Sequence, residues 1–460
     1  MKTTHSKIFT TTFFIIILCT SCANKTNQKS SSMSNDFEFV LPTWAKNSNI
    51  YEVNIRQYTP EGTINAFAAH LPRLKAMGVD ILWFMPVFPI SDTKKKGSLG
   101  SYYAVSDFRE INPKFGTKED MKNLIKSVHD LGMKIILDWV PNHTGWDHTW
   151  IKSHPEFYTK DSLGNITDPV DDNGKSYGWT DVADLNYDNK EMRQAMIADL
   201  VYWLSEYKID GYRMDIAFGV PLDFWHEAKV ALTRVKPDIY MLAEAETPEQ
   251  LNEGVFHAAY GWSFHHLINA IAKGEKSAND IDTWRLSEKS KMTQGNFMHF
   301  TCNHDENSWN GTEYERMGEG AATFAVLTTL YDGMPLIYSG QEEPLKRRLE
   351  FFEKDDIGFK NYNLADFYGK MLKAKHENQA LWNLPYGGEA IRIGSSDSVY
   401  AFKREKDGNK VCVLLNLSPK TSKVTLYEDL VGKELFTGRE IHSAKGSEVE
   451  MKAWEYMVVY

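Results

Sequence analysis

The chain has 460 residues, which predicts one large domain with at least one smaller one and excludes a small scaffold held by disulfides or metals. With 42% hydrophobic and 25% charged residues it can bury a core of ordinary size, which excludes global disorder and a fibrous repeat. The 52 Lys and Arg residues against 62 Asp and Glu residues give a net charge of −10, so we expect no nucleic-acid partner.

Residues 1–21 are predicted to be a signal peptide. Lys2 and Lys7 precede an apolar stretch over residues 13–19, and small residues then lead to Cys22. The apolar stretch is too short for a membrane-spanning helix. We therefore expect cleavage before Cys22 and export of the protein.

Residues 22–36 are predicted to be a disordered tether, because they are rich in Ser, Asn and Lys and have almost no apolar side chains. The signal segment resembles that of bacterial lipoproteins, although Cys19 stands where those proteins usually have Leu. The resemblance implies a lipidated Cys22 that anchors the protein to the outer membrane, on its periplasmic or surface face, without a transmembrane helix. A secreted protein without the lipid is the alternative.

The body of the chain alternates strands and helices. Short runs of branched and aromatic residues recur from Ile50 onward, separated by longer segments with helical spacing, which is typical of parallel strands joined by crossover helices. Eight such units predict a (β/α)₈ TIM barrel over residues 37–381. The predicted strands are 49–55, 80–87, 134–140, 210–215, 239–245, 256–263, 296–303 and 335–340.

One outer helix of this barrel is predicted over residues 63–78. Its apolar residues recur at helical spacing and Gly78 is a typical C-terminal cap, so we expect the apolar stripe to pack on the barrel. The residues of this stripe are Ile64, Phe67, Leu71, Leu74 and Met77.

Two stretches depart from the alternation. Roughly seventy residues separate the third and fourth strands, which is too long for an ordinary connection and predicts an inserted B subdomain over about 144–190. After Leu381 the pattern changes to short strands with turn dipeptides, which predicts an antiparallel β-sandwich over 382–460.

The spacing of the cysteines in the body of the chain predicts neither a disulfide nor a metal site. Cys302 and Cys412 lie in apolar, strand-like runs rather than at paired spacings, so we predict that both are buried free thiols. The sequence has no CxxC or HExxH pattern, and we therefore expect no zinc chemistry.

Charged residues cluster where the predicted strands end. Active sites of (β/α)₈ barrels are built at the carboxyl ends of the strands. Each residue alone could be a helix cap or a structural side chain. Together, carboxylates from three strands at one opening would repel each other, which destabilises the fold. A site that stabilises a positive charge on its ligand gives this arrangement a function. The residues are Asp138, His143, Arg213, Asp215, Glu244, His304 and Asp305.

Glycoside hydrolysis needs such an arrangement. Its transition state resembles an oxocarbenium ion, and a retaining mechanism uses two carboxyl groups about 5–5.5 Å apart. Arg213 lies two residues before Asp215 on the same strand face, so we expect Asp215 to be ionised and to be the nucleophile. Glu244 lies among apolar residues, which favours the protonated form of a general acid. Asp305 is then an electrostatic partner of the sugar cation, and Glu246 is a competing candidate for the acid.

Eight sequence blocks, in order along nearly the whole mature chain, resemble the α-amylase family, glycoside hydrolase family 13. The resemblance implies a catalytic barrel with a B subdomain after the third strand and a C-terminal β-sandwich. The blocks are GVDILWFMPV (78–87), SYYAVSDF (101–108), DWVPNH (138–143), VADLN (182–186), GYRMD (211–215), LAEA (242–245), CNHD (302–305) and GMPLIYSGQE (333–342).

The matching positions imply the same catalytic roles as the residue chemistry, with Asp215 as nucleophile, Glu244 as acid/base and Asp305 binding sugar hydroxyls. They also imply four substrate-binding residues and one structural residue. Arg213 would orient the nucleophile, His143 and His304 would contact the sugar before the scissile bond, Tyr103 would stack on its ring, and Asp138 would brace the site.

The resemblance implies a retaining hydrolase of α-1,4-glucosidic bonds in starch-like glucans or maltooligosaccharides. The alternatives are an exo-acting α-glucosidase, a cyclomaltodextrinase-like hydrolase or a transglycosylase, and Phe218 and Gly219 replace the Lys-His pair of typical starch α-amylases. A glycan-binding relative without catalysis is disfavoured, because all three carboxylates are present. Asn142 matches a calcium ligand of many relatives, so Ca²⁺ is a candidate ion, and we expect no organic cofactor.

Overall fold

The structure, a computed structural model, describes residues 39–171 and 174–460. The predicted signal peptide, the tether and Cys22 lie outside the described residues. Within the described ranges, no helix is both long and apolar enough to cross a membrane.

A closed barrel of eight parallel strands forms the centre of the fold, in the order β1-β2-β3-β6-β7-β8-β9-β10, with β10 pairing again with β1. This confirms the predicted TIM barrel and each of its strands. The first ten strands are β1 Ile50–Val53, β2 Ile81–Phe84, β3 Lys134–Trp139, β4 His143–Gly145, β5 Val182–Asp184, β6 Gly211–Met214, β7 Tyr240–Ala243, β8 Ala258–Tyr260, β9 Asn296–His299 and β10 Met334–Tyr338.

Helices follow most barrel strands and cover the outside of the barrel. Their apolar faces pack against the outward-facing strand residues in one continuous core. The α-helices are α1 Ile55–Tyr58, α2 Ile64–Ala68, α3 Leu71–Met77, α4 Lys118–Asp130, α5 Thr149–Ser153, α6 Lys190–Tyr202, α7 Leu222–Val235, α8 Pro248–Asn252, α9 Trp262–Ala272, α10 Asn279–Ser287, α11 Glu313–Met317, α12 Ala321–Leu330 and α13 Ala365–Glu377.

Helices α2 and α3 replace the single helix predicted over 63–78. Pro72 lies in the first turn of α3, where its missing N–H costs nothing. In a continuous helix its ring would clash with the carbonyl of Ala68, so the chain breaks between the two helices. The predicted apolar stripe is buried, and Gly78 ends α3 at φ 98°, as expected of a glycine cap.

Alternation along the strands places a polar layer inside the barrel. Ile50 and Ile136 belong to the apolar interior of the barrel, and Glu52 and Asp138, two residues further on, share their faces. Arg213 also points inward, because its neighbours on β6 pack against the outer helices. A carboxylate-rich layer therefore lies just below the carboxyl end of the barrel.

Strands β4 and β5 form a two-stranded antiparallel sheet in the long connection between β3 and β6. The C-terminal region has a four-stranded sheet, β11-β13-β14-β19, and a three-stranded sheet, β12-β15-β18, with an apolar core of their own. These strands are β11 Ile391–Arg392, β12 Gly394–Ser395, β13 Val399–Lys406, β14 Asn409–Asn416, β15 Ser422–Leu426, β16 Leu430–Lys433, β17 Glu440–Ser443, β18 Glu448–Met451 and β19 Tyr456–Val459.

Arg404 on β13 joins this β-sandwich to the barrel. It is fully buried and donates to the carbonyls of Leu330 and Tyr331 beside α12, and to that of Gly388 at 2.7 Å. Cys302 and Cys412 are both buried and unpaired, as predicted.

Candidate active site

A cavity of about 460 Å³ opens at the carboxyl end of the barrel. Its volume is in the range of small-molecule sites. Asp138 and Arg213 lie beneath it, fully buried. The cavity brings together six of the residues predicted from sequence, from five different parts of the chain: Tyr103, His143, Asp215, Glu244, His304 and Asp305.

Arg213 contacts three carboxyl groups. Its Nη1 donates to Asp138 Oδ1 at 2.8 Å and to Asp215 Oδ1 at 2.7 Å, and its Nη2 lies 2.9 Å from Glu244 Oε2. We expected the guanidinium to hold Asp215 in its ionised form. Instead, one positive charge is shared among three acids, because the strands that carry them are neighbours in the barrel.

Burial raises the pKa of Asp215 well above its usual range; the charge of Arg213 opposes this effect, and those of Glu244 and Asp138 add to it. Burial also raises the pKa of Asp138 to about 6, although the charge of Arg213 opposes this shift. The position of Arg213 in the sequence predicts an ionised Asp215, but the loss of water on burial opposes ionisation. Carboxyl groups this close titrate as a group, which suits a site that needs one ionised and one protonated carboxyl.

The backbone holds Asp215 and Glu244 in fixed positions just beyond the strand ends. The N–H of Asp215 donates to Trp139 O and that of Glu244 to Met214 O, both at 2.9 Å, so the ladder of the barrel continues through both residues. Ile216 has a left-handed backbone with φ 43°, unusual for a β-branched residue, and its N–H donates to Glu244 Oε2 at 2.8 Å. Backbone strain next to a candidate nucleophile is typical of functional sites.

His304 lies in a buried chain of polar contacts. Its Nδ1 is 2.5 Å from Glu52 Oε1, and its Nε2 is 2.8 Å from the hydroxyl of Tyr103, which donates to Asp138 Oδ2 at 3.2 Å. Glu52 was missed by the sequence analysis. Its signal was a carboxylate on the inward face of an otherwise apolar strand.

The acidic neighbours of His304 make its side chain cationic at neutral pH. Burial lowers the pKa of His304, but the charges of Asp305 and Glu52 outweigh burial and raise the pKa from its ordinary 6.5 to about 9. The contribution of protonated His304 to the free energy of unfolding is therefore fully present below pH 6.5 and is lost as pH rises through 9. At about 1.4 kcal/mol per pKa unit, the loss is on the order of 3 kcal/mol.

We expect the free energy of unfolding to fall between pH 6.5 and pH 9, and the variant His304→Gln to lack most of this fall, because glutamine carries no proton to lose. Denaturant unfolding of both proteins at the two pH values measures the difference. Equal pH dependence in the two proteins would contradict the assignment.

His143 differs from His304 in charge. Burial lowers the pKa of His143 to about 4, although Asp181 opposes the shift, so the ring is neutral at pH 7. It lies on β4 and enters the cavity beside Trp179, with 6.1 Å between the ring centroids. A neutral imidazole can donate one hydrogen bond to a sugar hydroxyl and accept another.

Asn142, the predicted calcium ligand, lies outside the cavity lining. An added Cβ on Gly219 would lie 2.8 Å from Asn142 Oδ1, so only glycine fits beside this amide oxygen. Asp184 on β5 is nearby, and burial, with Asp168 adding to it, raises its pKa to about 6. Oxygen donors of these types suit calcium. Within 39–171 and 174–460, however, no three His, Cys, Asp or Glu side chains are arranged to hold a metal.

Loop residues that sequence analysis did not assign complete the cavity. Most are aromatic and come from long connections, where local periodicity gives no information about position. The one visible signal is the consecutive aromatic pair Phe351-Phe352 in a polar segment. These residues are Lys96, Trp179, Asp181, Trp309, Phe351 and Phe352.

Glu246, the competing candidate for the acid, is held away from the cavity. Its carboxylate accepts from Ser263 N at 2.8 Å and from the Ser263 hydroxyl. Its side chain is not part of the cavity lining. The geometry therefore separates two glutamates that are only two residues apart in sequence.

Two family models match this chain. The model described as "Alpha amylase, catalytic domain" matches residues 23–168 and 175–358. The model described as "Alpha-amylase SusG C-terminal domain" matches residues 399–458. Together they span the barrel and most of the β-sandwich.

Individual relatives agree with these matches. The chain is 27% identical over 420 residues to alpha-amylase MalA of Haloarcula japonica, with 88% of this chain and 60% of the relative aligned, so it spans less than two thirds of that protein. It is 24% identical over 459 residues to a cyclomaltodextrinase of Thermoanaerobacter pseudethanolicus, covering 86% and 74%. The crystal structure of the noncanonic maltogenic alpha-amylase AmyB from Thermotoga neapolitana matches with a TM-score of 0.81 at 28% identity, covering 90% and 99%.

Proposed function

The chain belongs to the α-amylase family of glycoside hydrolases, and from this premise we propose that it cleaves α-1,4-glucosidic bonds in starch-like glucans or maltooligosaccharides with retention of configuration. The main structural support for this reaction is the contact of Arg213 with both Asp215 and Glu244. Two carboxyls that share one guanidinium are close together, as a retaining mechanism requires.

In the proposed mechanism Glu244 protonates the glycosidic oxygen while Asp215 attacks the anomeric carbon. A covalent glycosyl-enzyme forms, and water activated by Glu244 then hydrolyses it. Asp305 and the cavity floor stabilise the positive charge that develops on the sugar, and Asp305 accepts hydrogen bonds from its hydroxyls.

Tyr103, His143 and His304 are proposed to hold the sugar on the non-reducing side of the scissile bond. Tyr103 offers a ring face, since it lies parallel to Phe351 and near-parallel to His304 at the cavity wall. His304 adds a positive charge at the cavity wall, and His143 adds a neutral imidazole. Asp138 accepts from Trp83 Nε1, Tyr103 and Arg213, and so braces the floor rather than contacting substrate.

An exo-acting or small-substrate enzyme, such as an α-glucosidase, a cyclomaltodextrinase-like hydrolase or a transglycosylase, is the second candidate. The cyclomaltodextrinase and maltogenic relatives favour it. The two candidates differ in products. We would incubate protein lacking the residues before Phe37 with soluble starch and with maltoheptaose, beside the inactive variant Asp215→Asn. A spread of intermediate oligosaccharides from the first minutes supports endo attack, whereas glucose or maltose alone, or products longer than the substrate, support the second candidate.

Calcium binding through Asn142 is a further proposal, supported by the oxygen donors of Asn142 and of Asp184, which pairs with the neighbouring His143 between β4 and β5. We expect added CaCl₂ to raise the Tm and a chelator to lower it. Saturation at 100 times the Kd would add about 2.7 kcal/mol to the free energy of unfolding. The variant Asn142→Ala should lose this response. A Tm that is the same in calcium and in chelator would refute the proposal.

We also propose that the protein is exported and anchored through a lipidated Cys22. The support is the sequence of residues 1–22 alone. Mass spectrometry of the protein from the membrane fraction should find an N-terminal, lipid-modified Cys22. An unmodified Cys22, or protein found wholly in the medium, would leave the secreted alternative.

A further inference from the structure

Three loops meet at one end of the active-site cavity, and we refer to them together as the clamp. They are residues 91–99 after β2, residues 174–181 before β5 and residues 350–354 after β10. Lys96 Nζ lies 2.8 Å from Asp181 Oδ1 and donates to Gly178 O at 3.2 Å, which joins the first loop to the second. Backbone contacts join the first loop to the third.

The contact between the first and third loops is close and fixed. The N–H of Leu99 donates to Phe352 O at 3.0 Å, and that of Ser98 to Glu353 Oε1 at 2.8 Å. Gly97 has φ 61°, and a Cβ on it would overlap the Cβ of Phe352. Only glycine therefore permits this approach of the two backbones.

Arg56 anchors both loops from below. It is buried, its Nη2 donates to Leu99 O at 3.3 Å, and its Nη1 donates to Phe351 O at 3.3 Å. Its guanidinium also lies 3.9 Å from the ring centre of Tyr102. The first and third loops of the clamp are thus tied to α1, the helix that follows β1.

The contacts of the clamp show which end of the substrate it faces. The Phe351 ring lies 6.4 Å from that of Tyr103 and nearly parallel to it, and 6.5 Å from that of His304. Trp179 lies beside His143. Under the proposed function these three partners hold the sugar on the non-reducing side of the scissile bond.

Glu244 lies among different partners, the backbone of Ile216 and the side chain of Arg213. The leaving group departs where Glu244 protonates it. The clamp therefore lies beyond the opposite, non-reducing end of the bound sugar.

We propose that the clamp limits the substrate to one or two glucosyl units on the non-reducing side of the scissile bond, with Lys96 as a specificity-determining residue. The proposal rests on the proposed function and favours its second, exo-acting candidate. Lys96 lines the cavity, and its partner Asp181 is only 7% exposed in its side chain. Breaking this pair would leave a buried carboxylate without its cation, so a longer chain cannot displace Lys96 at low cost.

The test follows the first cleavage of maltoheptaose labelled at its reducing end. In the wild type we expect the label to appear first in maltohexaose or maltopentaose. The variant Lys96→Ala removes the side chain that joins the first and second loops, and Gly97→Ala pushes the first and third loops apart. In both variants the share of label in shorter products should rise about fivefold. The control is Lys95→Ala, whose side chain pairs with Asp92 and does not line the cavity, and it should keep the wild-type pattern.

Two results would overturn the proposal: wild-type label spread evenly over all product lengths from the start, or variant patterns equal to the wild type. Tm measurements show whether each variant folds; if one does not, the wild-type pattern decides alone. No cleavage of any α-glucan by the wild type would instead refute the proposed function, which is a different outcome.

Discussion

Replacing Asp215 by Asn should abolish turnover while leaving the protein as stable as the wild type. The amide has the shape of the carboxylate but cannot attack the anomeric carbon, so we expect kcat/KM to fall at least about 10⁴-fold. Burial raises the pKa of Asp215, which means that the folded protein disfavours its charged form. A neutral amide that still accepts from Arg213 therefore relieves a cost, and the Tm should be unchanged or higher.

The measurement is initial rates on maltoheptaose together with thermal unfolding. The matched control is Asp188→Asn, an exposed aspartate outside the cavity, which should keep wild-type rates. Residual activity above one tenth of the wild type in Asp215→Asn would remove Asp215 from the role of nucleophile. A fall in Tm together with lost activity would point instead to a structural role.

Replacing Glu244 by Gln should have an effect that depends on the leaving group. For maltooligosaccharides, whose sugar leaving group needs a proton, we expect a fall in kcat of about 10³-fold. A 4-nitrophenyl α-maltoside has a leaving group that departs without a proton, so its first step should remain fast. The second step still lacks its base, and a burst of nitrophenol followed by slow turnover should result.

The natural control is Glu246→Gln, two residues away. Its carboxylate is occupied by Ser263 and lies outside the cavity, so we expect rates within about threefold of the wild type on both substrates. Normal turnover in Glu244→Gln with lost turnover in Glu246→Gln would reverse the assignment.

Much of the architecture could be predicted from sequence, because each barrel strand carries its own local pattern. Runs such as 134–140 and 335–340 are short, branched and apolar, and the barrel topology then brings their carboxyl ends to one face. The same rule predicts that Asp215, Glu244 and Asp305 meet at one opening of the barrel. The helix predicted over 63–78 from its apolar periodicity is instead broken before α3, because the ring of Pro72 forbids the helical turn before it.

Other features were decided only by the tertiary structure. Glu52 and His304 are 252 positions apart, and no local pattern could pair them or predict a raised pKa for the histidine. The division of one guanidinium among three carboxyls likewise depends on which strands are neighbours. The clamp depends on loops whose positions are set by contacts, not by periodicity. Sequence thus determined which chemical groups reach the mouth of the barrel. Packing decided their charge states and the shape of the cleft, because both depend on burial and on distances between residues far apart in the chain.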